Sequence, residues 1–374
     1  MNILICDPAD FFGGAEGYTI DILRVLTKKT EHNITLLTTG KSDEYQKNIP
    51  KTVKVIRMDI PRLRPFRPIA FLTTLLYMRT ILRTQKWDII HSNSVRAGIF
   101  FSMFAKQYCW THSAHDFTMP KWTSGFFRRA KGIFACSHAV KKDLIRKGVP
   151  GKKIYVVPNG LPLDTHAPLP FSKKEKTIVA LVGRIDGWKG QDVFLRAAEL
   201  LKDELPDVEF RLYGTANTHD KKTQAYEKTL RAMAKQLPNV RFCGHEKREN
   251  IFSDITLLVH ASTQPEPFGR TVLEALFFGV PVIASDDGGV REILAGEEFS
   301  DFRITPNNPH ALAKKILFLL RNPKKQEEFW HLAEQRKKAF DLQKIVNTME
   351  KIWKQCYKHR KSKKSQKQPD ASAR

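Results

Sequence analysis

Thr177-Ile178-Val179-Ala180-Leu181-Val182-Gly183-Arg184-Ile185-Asp186-Gly187-Trp188-Lys189-Gly190 is the stretch on which the fold turns. It opens with an apolar run of strand length, breaks at a glycine-rich turn, and leads into residues 191–201, which carry a helical pattern. Strand, tight turn and helix in direct succession are the unit from which parallel sheets are built. Here that unit restarts a pattern the chain has already run once. Upstream, strand-like runs at residues 2–6, 34–38, 53–57, 89–91, 110–113, 133–136 and 155–157 alternate with helical stretches at 15–29, 66–84 and 138–148. Downstream, runs at 208–213, 240–242, 256–260 and 282–285 alternate with helical stretches at 223–236 and 270–278. Such alternation predicts an α/β chain with helices on both faces of each sheet. Residues 158–176, rich in proline and without helical period, separate the two runs. The expectation is two facing, Rossmann-like, doubly wound domains with a ligand cleft between them, beyond the strand ends. Residues 1–170 would form the first domain and 171–340 the second. Residues 341–357 would form a helix packing back on the first domain, and 358–374 a disordered basic tail.

Bulk properties agree with this plan. A chain of 374 residues is comfortable for two domains, each with its own core, and 41% hydrophobic with 10% aromatic residues excludes a disordered protein. The apolar run 2–6 is too short for a signal-peptide core and has no basic leader. The longest charge-poor runs, such as 98–105, fall short of the ~20 residues of a spanning helix. A cytoplasmic protein is expected. Cys6, Cys109, Cys136, Cys243 and Cys356 are scattered and never in a C-x-x-C pair, so buried thiols are expected and no disulfide or metal site. The formal net charge of +24 calls for a negatively charged partner, and nucleic acid, anionic membrane and phosphorylated substrate all fit it.

Three segments carry candidate chemistry. Phe12-Gly13-Gly14-Ala15-Glu16-Gly17 lies between the first strand and first helix. Its glycines suit either a tight turn or the close approach of backbone to a phosphate, and it is not the dinucleotide pattern G-x-G-x-x-G. In the opening stretch, Arg184 and Lys189 place a guanidinium fork and a compact ammonium at one glycine-rich turn. That pair suits a diphosphate, or is an exposed basic turn of a basic protein. The third segment is Pro265-Glu266-Pro267-Phe268-Gly269-Arg270-Thr271-Val272-Leu273-Glu274-Ala275-Leu276. Pro267 and Gly269 break the chain and a helix starts near Arg270, so first-turn amides around Val272 and Leu273 are placed to receive phosphate. Glu266 precedes the helix and Glu274 rides on it; ionised carboxylates are acceptors only, and each suits a pair of sugar hydroxyls. Glu274 also fits a plain acid near a helix start.

Taken together, these motifs resemble glycosyltransferase family 4, the retaining family with the GT-B fold. Glu266 and Glu274 match its E-x7-E signature, Pro267-Phe268-Gly269 its P-F-G turn, Val182-Gly183-Arg184 with Lys189-Gly190 its V-G-R and K-G, and Gly13-Gly14-Ala15-Glu16 its G-G-x-E loop. Weaker echoes are Cys136-Ser137-His138-Ala139-Val140, Pro158-Asn159-Gly160 and Asp287-Gly288-Gly289-Val290-Arg291-Glu292. The resemblance implies that Arg184 and Lys189 bind the diphosphate of a nucleotide-sugar donor and stabilise the leaving group, with no metal and no cofactor. It implies Glu266 beside the reacting carbon, Glu274 on the ribose, and Phe268, Gly269, Val272 and Leu273 contacting sugar and phosphate through their amides. Gly244 and His245 fall where the family places the nucleobase, and Gly13 and Gly14 would reach the diphosphate from the other domain. Two departures stand out: Asn159-Gly160-Leu161-Pro162-Leu163-Asp164 is longer than the family's N-G-V-D, and Gly214 is followed by Thr215-Ala216-Asn217 in place of a second glycine.

His91, His112 and His115-Asp116 all fall at strand ends of the first half. His112 and His115 fit metal ligation or a general base, but no third ligand stands nearby. The resemblance favours His115, as a contact to the donor sugar, and implies that the leaving phosphate itself assists deprotonation of the acceptor.

Arg57, Arg62, Arg64, Arg67, Arg79 and Arg83 surround an apolar helix with only Asp59 opposing them, and Lys121-Trp122-Thr123-Ser124-Gly125-Phe126-Phe127-Arg128-Arg129 mixes aromatics with cations. These fit docking on an anionic membrane, or a helix with a solvated basic face. No recognition-helix, zinc or RNP pattern supports a nucleic-acid partner. The family resemblance implies a retaining, metal-independent hexosyltransferase, and the basic surface adds the expectation that it is peripheral on the inner face of the cytoplasmic membrane. It would move a hexose or hexosamine from a nucleotide sugar, a UDP-sugar first, to a lipid-linked glycan acceptor of lipopolysaccharide or surface polysaccharide. Alternatives are a soluble glycosyltransferase acting on a free sugar or glucan and, in a different class, a basic nucleic-acid-binding protein.

Overall fold

In the computed structural model, the structure describes residues 1–10, 13–29, 31–61, 68–163, 176–218 and 220–365, with side chains to residue 360. Phe12 of the glycine loop, Arg62, Arg64 and Arg67 of the arginine cluster, residues 164–175 of the linker and 366–374 of the tail lie outside them. The chain divides into two compact units, one made of Met1–Gly160 with Leu342–Arg374 and the other of Leu161–Asp341. The first unit thus ends inside the segment that composition marks as a linker.

Unit one runs β1 (Asn2–Cys6), α1 (Gly14–Thr27), β2 (Asn33–Thr38), α2 (Asp43–Asn48), β3 (Lys54–Arg57), α3 (Pro68–Arg83), β4 (Ile89–Ser92), α4 (Val95–Ser102), β5 (Trp110–Ala114), α5 (Ser124–Phe127), β6 (Gly132–Ala135), α6 (His138–Arg146) and β7 (Ile154–Val156). Among the described residues its sheet is wholly parallel, in the order β3-β2-β1-β4-β5-β6-β7. Unit two runs β8 (Ile178–Val182), α7 (Gln191–Leu201), β9 (Glu209–Tyr213), α8 (Lys221–Ala234), β10 (Val240–Gly244), α9 (Arg248–Asp254), β11 (Leu257–His260), α10 (Arg270–Phe278), β12 (Val282–Ser285), α11 (Val290–Ile293), β13 (Arg303–Ile304), α12 (Pro309–Arg321) and α13 (Pro323–Arg336). Its sheet is again parallel, in the order β10-β9-β8-β11-β12-β13. In each sheet the order reverses once, between β1 and β4 and between β8 and β11. Crevices form at such reversals because neighbouring crossovers leave on opposite faces.

A last helix, α14 (Leu342–Ser365), returns the chain to unit one. Leu342, Ile345, Val346, Met349, Ile352, Trp353 and Cys356 recur at helical spacing and are all buried in the core that also holds Ile20, Leu23 and Leu26 of α1. This explains why α1 is buried on nearly every side, although a surface helix would keep one face polar. The tail expected to be disordered from Lys358 is helical as far as Ser365, because its first turns continue a helix already anchored by packing. Four cysteines are buried and Cys243 is exposed. Among the described residues no helix is long and apolar enough to cross a membrane.

Candidate active site

The motifs of unit two meet where β8 and β11 flank the reversal of the sheet. One loop leaves β8 and carries Arg184 and Lys189; another leaves β11 and carries Glu266. Gly190 closes the first loop in the left-handed region at φ 72°, and a Cβ there would collide with the carbonyl of Ala261 at the start of the second. Glycine is therefore the residue that lets the two loops touch. The Thr263 amide then donates to the Trp188 carbonyl at 2.8 Å and fastens them. On the other flank, Gly288 at φ 62° lies against the Glu266 backbone, and the Gly289 amide donates to the Glu266 carbonyl at 2.8 Å. Glu266 is thus held from both sides before its side chain makes any contact.

That side chain is the electrostatic centre of the site. Lys189 Nζ donates to Glu266 Oε2 at 2.7 Å, Ser262 Oγ donates to the same oxygen at 3.1 Å, and His260 Nε2 lies 3.3 Å from it. Burial by itself pushes the Glu266 carboxyl upward, but the His260 contact and the Lys189 ammonium outweigh it and hold the group at about 2. An ionised carboxylate only accepts, so the His260 proton facing it sits on Nε2. Among the described residues all three contacts fall on Oε2 and none on Oε1. Lys189 also lies over the Trp188 ring, 4.0 Å from its centroid, a cation–π contact. Arg184 is more exposed and pairs with Asp186 at 3.2 Å, while its backbone carbonyl accepts from the buried Gln191 side chain at 2.9 Å.

Glu274 is buried on α10, where Arg270 Nε donates to its Oε1 at 3.1 Å and Arg248 Nη1 lies 4.0 Å from the same oxygen. α10 starts after Gly269, whose φ of 98° turns the chain sharply and which has no side chain to cap the helix. One sequence expectation is corrected here. The Leu273 amide, read as a phosphate donor, is engaged with the Gly269 carbonyl at 3.1 Å, because it is the first amide far enough along the helix to reach a carbonyl four residues back. The Val272 amide belongs to the turn before it. Phe268 turns its ring inward against Phe340, centroids 6.1 Å apart, so only its backbone is available to a ligand. Gly244 ends edge strand β10, its carbonyl taking the Gly214 amide at 2.6 Å, and His245 is exposed beyond it.

Unit one carries the remaining candidates. Gly13 caps α1 without a side-chain bond and Gly14 begins the helix. His115 lies just beyond β5 with its ring edge-on to Tyr18 of α1, centroids 5.9 Å apart. Asp116 does not orient it: the Asp116 carboxylate accepts from the Thr118 amide and hydroxyl at 2.8 and 2.6 Å. His91 and His112 are core residues. His91 bonds Thr111 and Ser113 at 2.9 and 2.8 Å, His112 bonds Ser92 at 2.9 Å, and burial lowers both, His91 to about 3. Beyond the ends of β1 and β4 lies a cavity of about 230 Å³ lined by Asp7, Asp10, Glu16, Asn93 and Arg96 among others. Arg96 pairs with Asp10 at 2.9 Å, and burial raises Asp7 to about 6 although its carboxylate accepts from the Tyr45 hydroxyl at 3.1 Å.

Sequence reading missed His260 and Ser262, and also Asp7, Asp10 and Arg96. The signal was present for the first pair, since both are polar residues at the carboxyl end of an apolar strand, within six residues of Glu266. Among the described residues no cluster of three or more His, Cys, Asp or Glu is arranged to hold a metal ion.

Residues 12–165 match the family described as Glycosyltransferase Family 4, and residues 165–336 match Glycosyl transferases group 1. Among curated relatives, trehalose synthase of Pyrococcus horikoshii is 32% identical over 169 residues, which are 43% of this chain and 40% of that one. The chain therefore spans less than half the length of that relative. The UDP-Gal:alpha-D-GlcNAc-diphosphoundecaprenol alpha-1,3-galactosyltransferase of Escherichia coli is 24% identical over 263 residues, 63% of this chain and 67% of that one. The fold is shared along nearly the whole chain with Anabaena HepE, solved in complex with UDP and glucose: TM-score 0.79, 21% identity, 95% of this chain and 100% of that one.

Proposed function

The chain belongs to glycosyltransferase family 4, and on that premise we propose that it transfers a hexose or hexosamine, with retention, from a UDP-sugar to a lipid-linked glycan acceptor at the inner face of the cytoplasmic membrane. The observation that carries this reading is the Lys189–Glu266 pair, 2.7 Å apart, at the ends of the two strands that flank the sheet reversal. A cation that neutralises a leaving diphosphate and a carboxylate that faces developing positive charge at the sugar must lie side by side, and here they do.

In this reading, Lys189 and Arg184 bind the diphosphate and stabilise its charge as the glycosidic bond breaks, so no metal is needed for that task. Glu266 stays ionised and presents Oε1 to the transferred sugar, because Lys189, His260 and Ser262 all hold Oε2. The leaving phosphate takes the proton of the acceptor hydroxyl as that hydroxyl attacks from the same face. Glu274 receives the ribose hydroxyls in place of its Arg270 contact, with the Val272 amide on a phosphate oxygen and His245 near the base. Gly13, Gly14 and His115 of unit one keep the donor-contacting roles the family likeness gives them. The E. coli relative's name specifies a UDP-sugar and a diphosphoundecaprenol acceptor, which supports the choice of donor and acceptor class made here.

The deciding experiment is a thermal-shift titration with UDP, GDP and ADP without divalent metal, run on the native chain and on Lys189→Ala. Stabilisation by UDP alone at micromolar concentration, lost in the variant, is the expected result. A response to GDP instead reassigns the base. No response to any of them removes the donor site and returns the charge of +24 to a nucleic-acid explanation.

A further inference from the structure

α3 has two apolar faces where a helix on a soluble sheet needs one. Thr74, Met78, Ile81 and Leu82 are buried toward the sheet, and Phe71 stacks on Phe100 of α4 at 4.8 Å. The opposite side carries Ile69, Leu72, Leu76 and Tyr77, exposed by 78, 57, 54 and 50%. Their spacing of three, four and one residues places them on one stripe. Arg79 and Arg83, both exposed, fall beside that stripe on the same side of the helix. The segment from Lys121 to Arg129 packs on α4 from the other direction through Phe127, and right-handed crossovers put α3, α4 and α5 on one face of the sheet. That segment adds Trp122, exposed by 68%, with exposed Lys121, Arg128 and Arg129. Large apolar side chains scattered singly over a surface need no explanation, but a contiguous stripe does.

We propose that the outer stripe of α3, together with Trp122, is the surface by which this protein docks on an anionic lipid bilayer. The proposal rests on the reading of a lipid-linked acceptor and names the residues that would bring the enzyme to it. Charge decides the occupant. The sequence has no Asp or Glu between Asp59 and Asp88, and none between Asp116 and Asp143. A second copy of the chain laid on the stripe would set Arg79 and Arg83 against their own duplicates, at a like-charge cost. A layer of anionic headgroups instead offers phosphates to the arginines and an acyl boundary to the leucines, and an aromatic residue such as Trp122 is suited to the level between them. Interfacial helices of this kind sink their apolar face only about 5–10 Å, which the side chains of one stripe can span.

The test is co-sedimentation of the full chain with vesicles of phosphatidylglycerol in phosphatidylcholine, compared with phosphatidylcholine alone. Binding to the anionic vesicles only, weakened by salt, is expected. Leu72→Glu/Leu76→Glu should lower the partition coefficient about tenfold or more, and Leu76→Ser should lower it by less in the same direction. Both variants should keep the native response to UDP in thermal shift, since neither touches unit two. Undiminished vesicle binding by the double variant overturns the proposal, as does equal binding of the native chain to both kinds of vesicle. A dimer in sedimentation velocity that the double variant dissolves would overturn it in favour of a second copy. Loss of the UDP response in the native chain would sink the enzymatic reading instead, and vesicle binding remains readable in that case.

Discussion

Two carboxylates at strand ends, one in each unit, are pushed in opposite directions by their surroundings. Glu266 is held at about 2, since the His260 contact and the Lys189 charge outweigh burial, whereas Asp7 is raised to about 6 by burial that its hydrogen bonds only partly offset. The signs have separate consequences. A lowered carboxylate stabilises the fold at pH above its unfolded value, and that contribution is lost as pH falls through the folded value; for Glu266 the window lies between about 4.5 and 2. A raised carboxylate does the reverse. Asp7 binds its proton more tightly in the folded state, so its contribution is present below about 4 and is lost as pH rises through about 6. Asp7→Asn, which keeps an acceptor for the Tyr45 hydroxyl, should therefore gain melting temperature over the native chain between pH 4 and pH 7, and differential scanning calorimetry across that range checks it. A gap that stays constant or shrinks would refute the assignment. At Glu266, substitution by Gln preserves shape but removes the charge; it should reduce kcat about 100-fold or more while UDP still binds. Steady-state kinetics beside calorimetric UDP binding separates the two effects.

At the scale of elements, α14 has the most work to do for its unit. Trp353 is fully buried, its Nε1 donates to Thr111 Oγ1 at 3.1 Å, and its ring meets His91 and Phe134 with centroids 5.3 and 6.2 Å away. Nearby, buried Glu350 accepts from Lys29 at 2.6 Å and lies 2.8 Å from His32 Nε2, joining α14 to the end of α1. Trp353→Ala removes a large side chain from a site that cannot collapse around the gap and should cost about 3 to 5 kcal/mol, measured by urea unfolding followed on unit one. Sequence reading anticipated a helix from residue 341 that packs back on the first half, and α7 and α10 were legible to the residue: each follows a glycine and carries a regular apolar period. α2, α4, α5, α9, α11, α12, α13 and the two-residue strand β13 were not among the expected elements. α9 is short and polar on its outer side. The ladder of β13 is set by β12 alongside it, so nothing local in Arg303-Ile304 announces a strand.

For the whole molecule, the order of the chain and the order of the units differ. Unit two enters at Leu161 and leaves at Asp341, and these two residues form a β-bridge, with the Leu161 amide donating to the Phe340 carbonyl at 3.1 Å. Unit two is in effect an insertion whose ends are stitched together, while unit one needs both ends of the chain. Residues 161–341 alone should therefore fold and keep UDP stabilisation, whereas residues 1–160 alone, lacking α14, should expose the core around α1 and aggregate or remain partly unfolded. Circular dichroism and thermal shift on the two fragments check both halves. A folded 1–160 fragment would show that α14 contributes less than its burial indicates.

What the amino-acid sequence determined by itself follows from local physics. Alternating strand and helix periods required parallel sheets with helices on both faces, and glycines at Gly183, Gly190 and Gly269 marked where each strand hands over to its helix. Of the charged residues singled out in the sequence, Arg184, Lys189 and Glu266 fall in loops that follow strands β8 and β11, and Glu274 lies on the helix after the second loop. Only the tertiary structure decided the rest. It drew Lys189 onto Glu266 across 77 residues of sequence and added His260 and Ser262 to the same oxygen. It engaged the Leu273 amide within its own helix, retired His91 and His112 to the core, and left the outer stripe of α3 uncovered. Each of these depends on which neighbour occupies the adjacent space, and pairing across a sheet or covering of a helix face is fixed by packing between segments far apart in the chain.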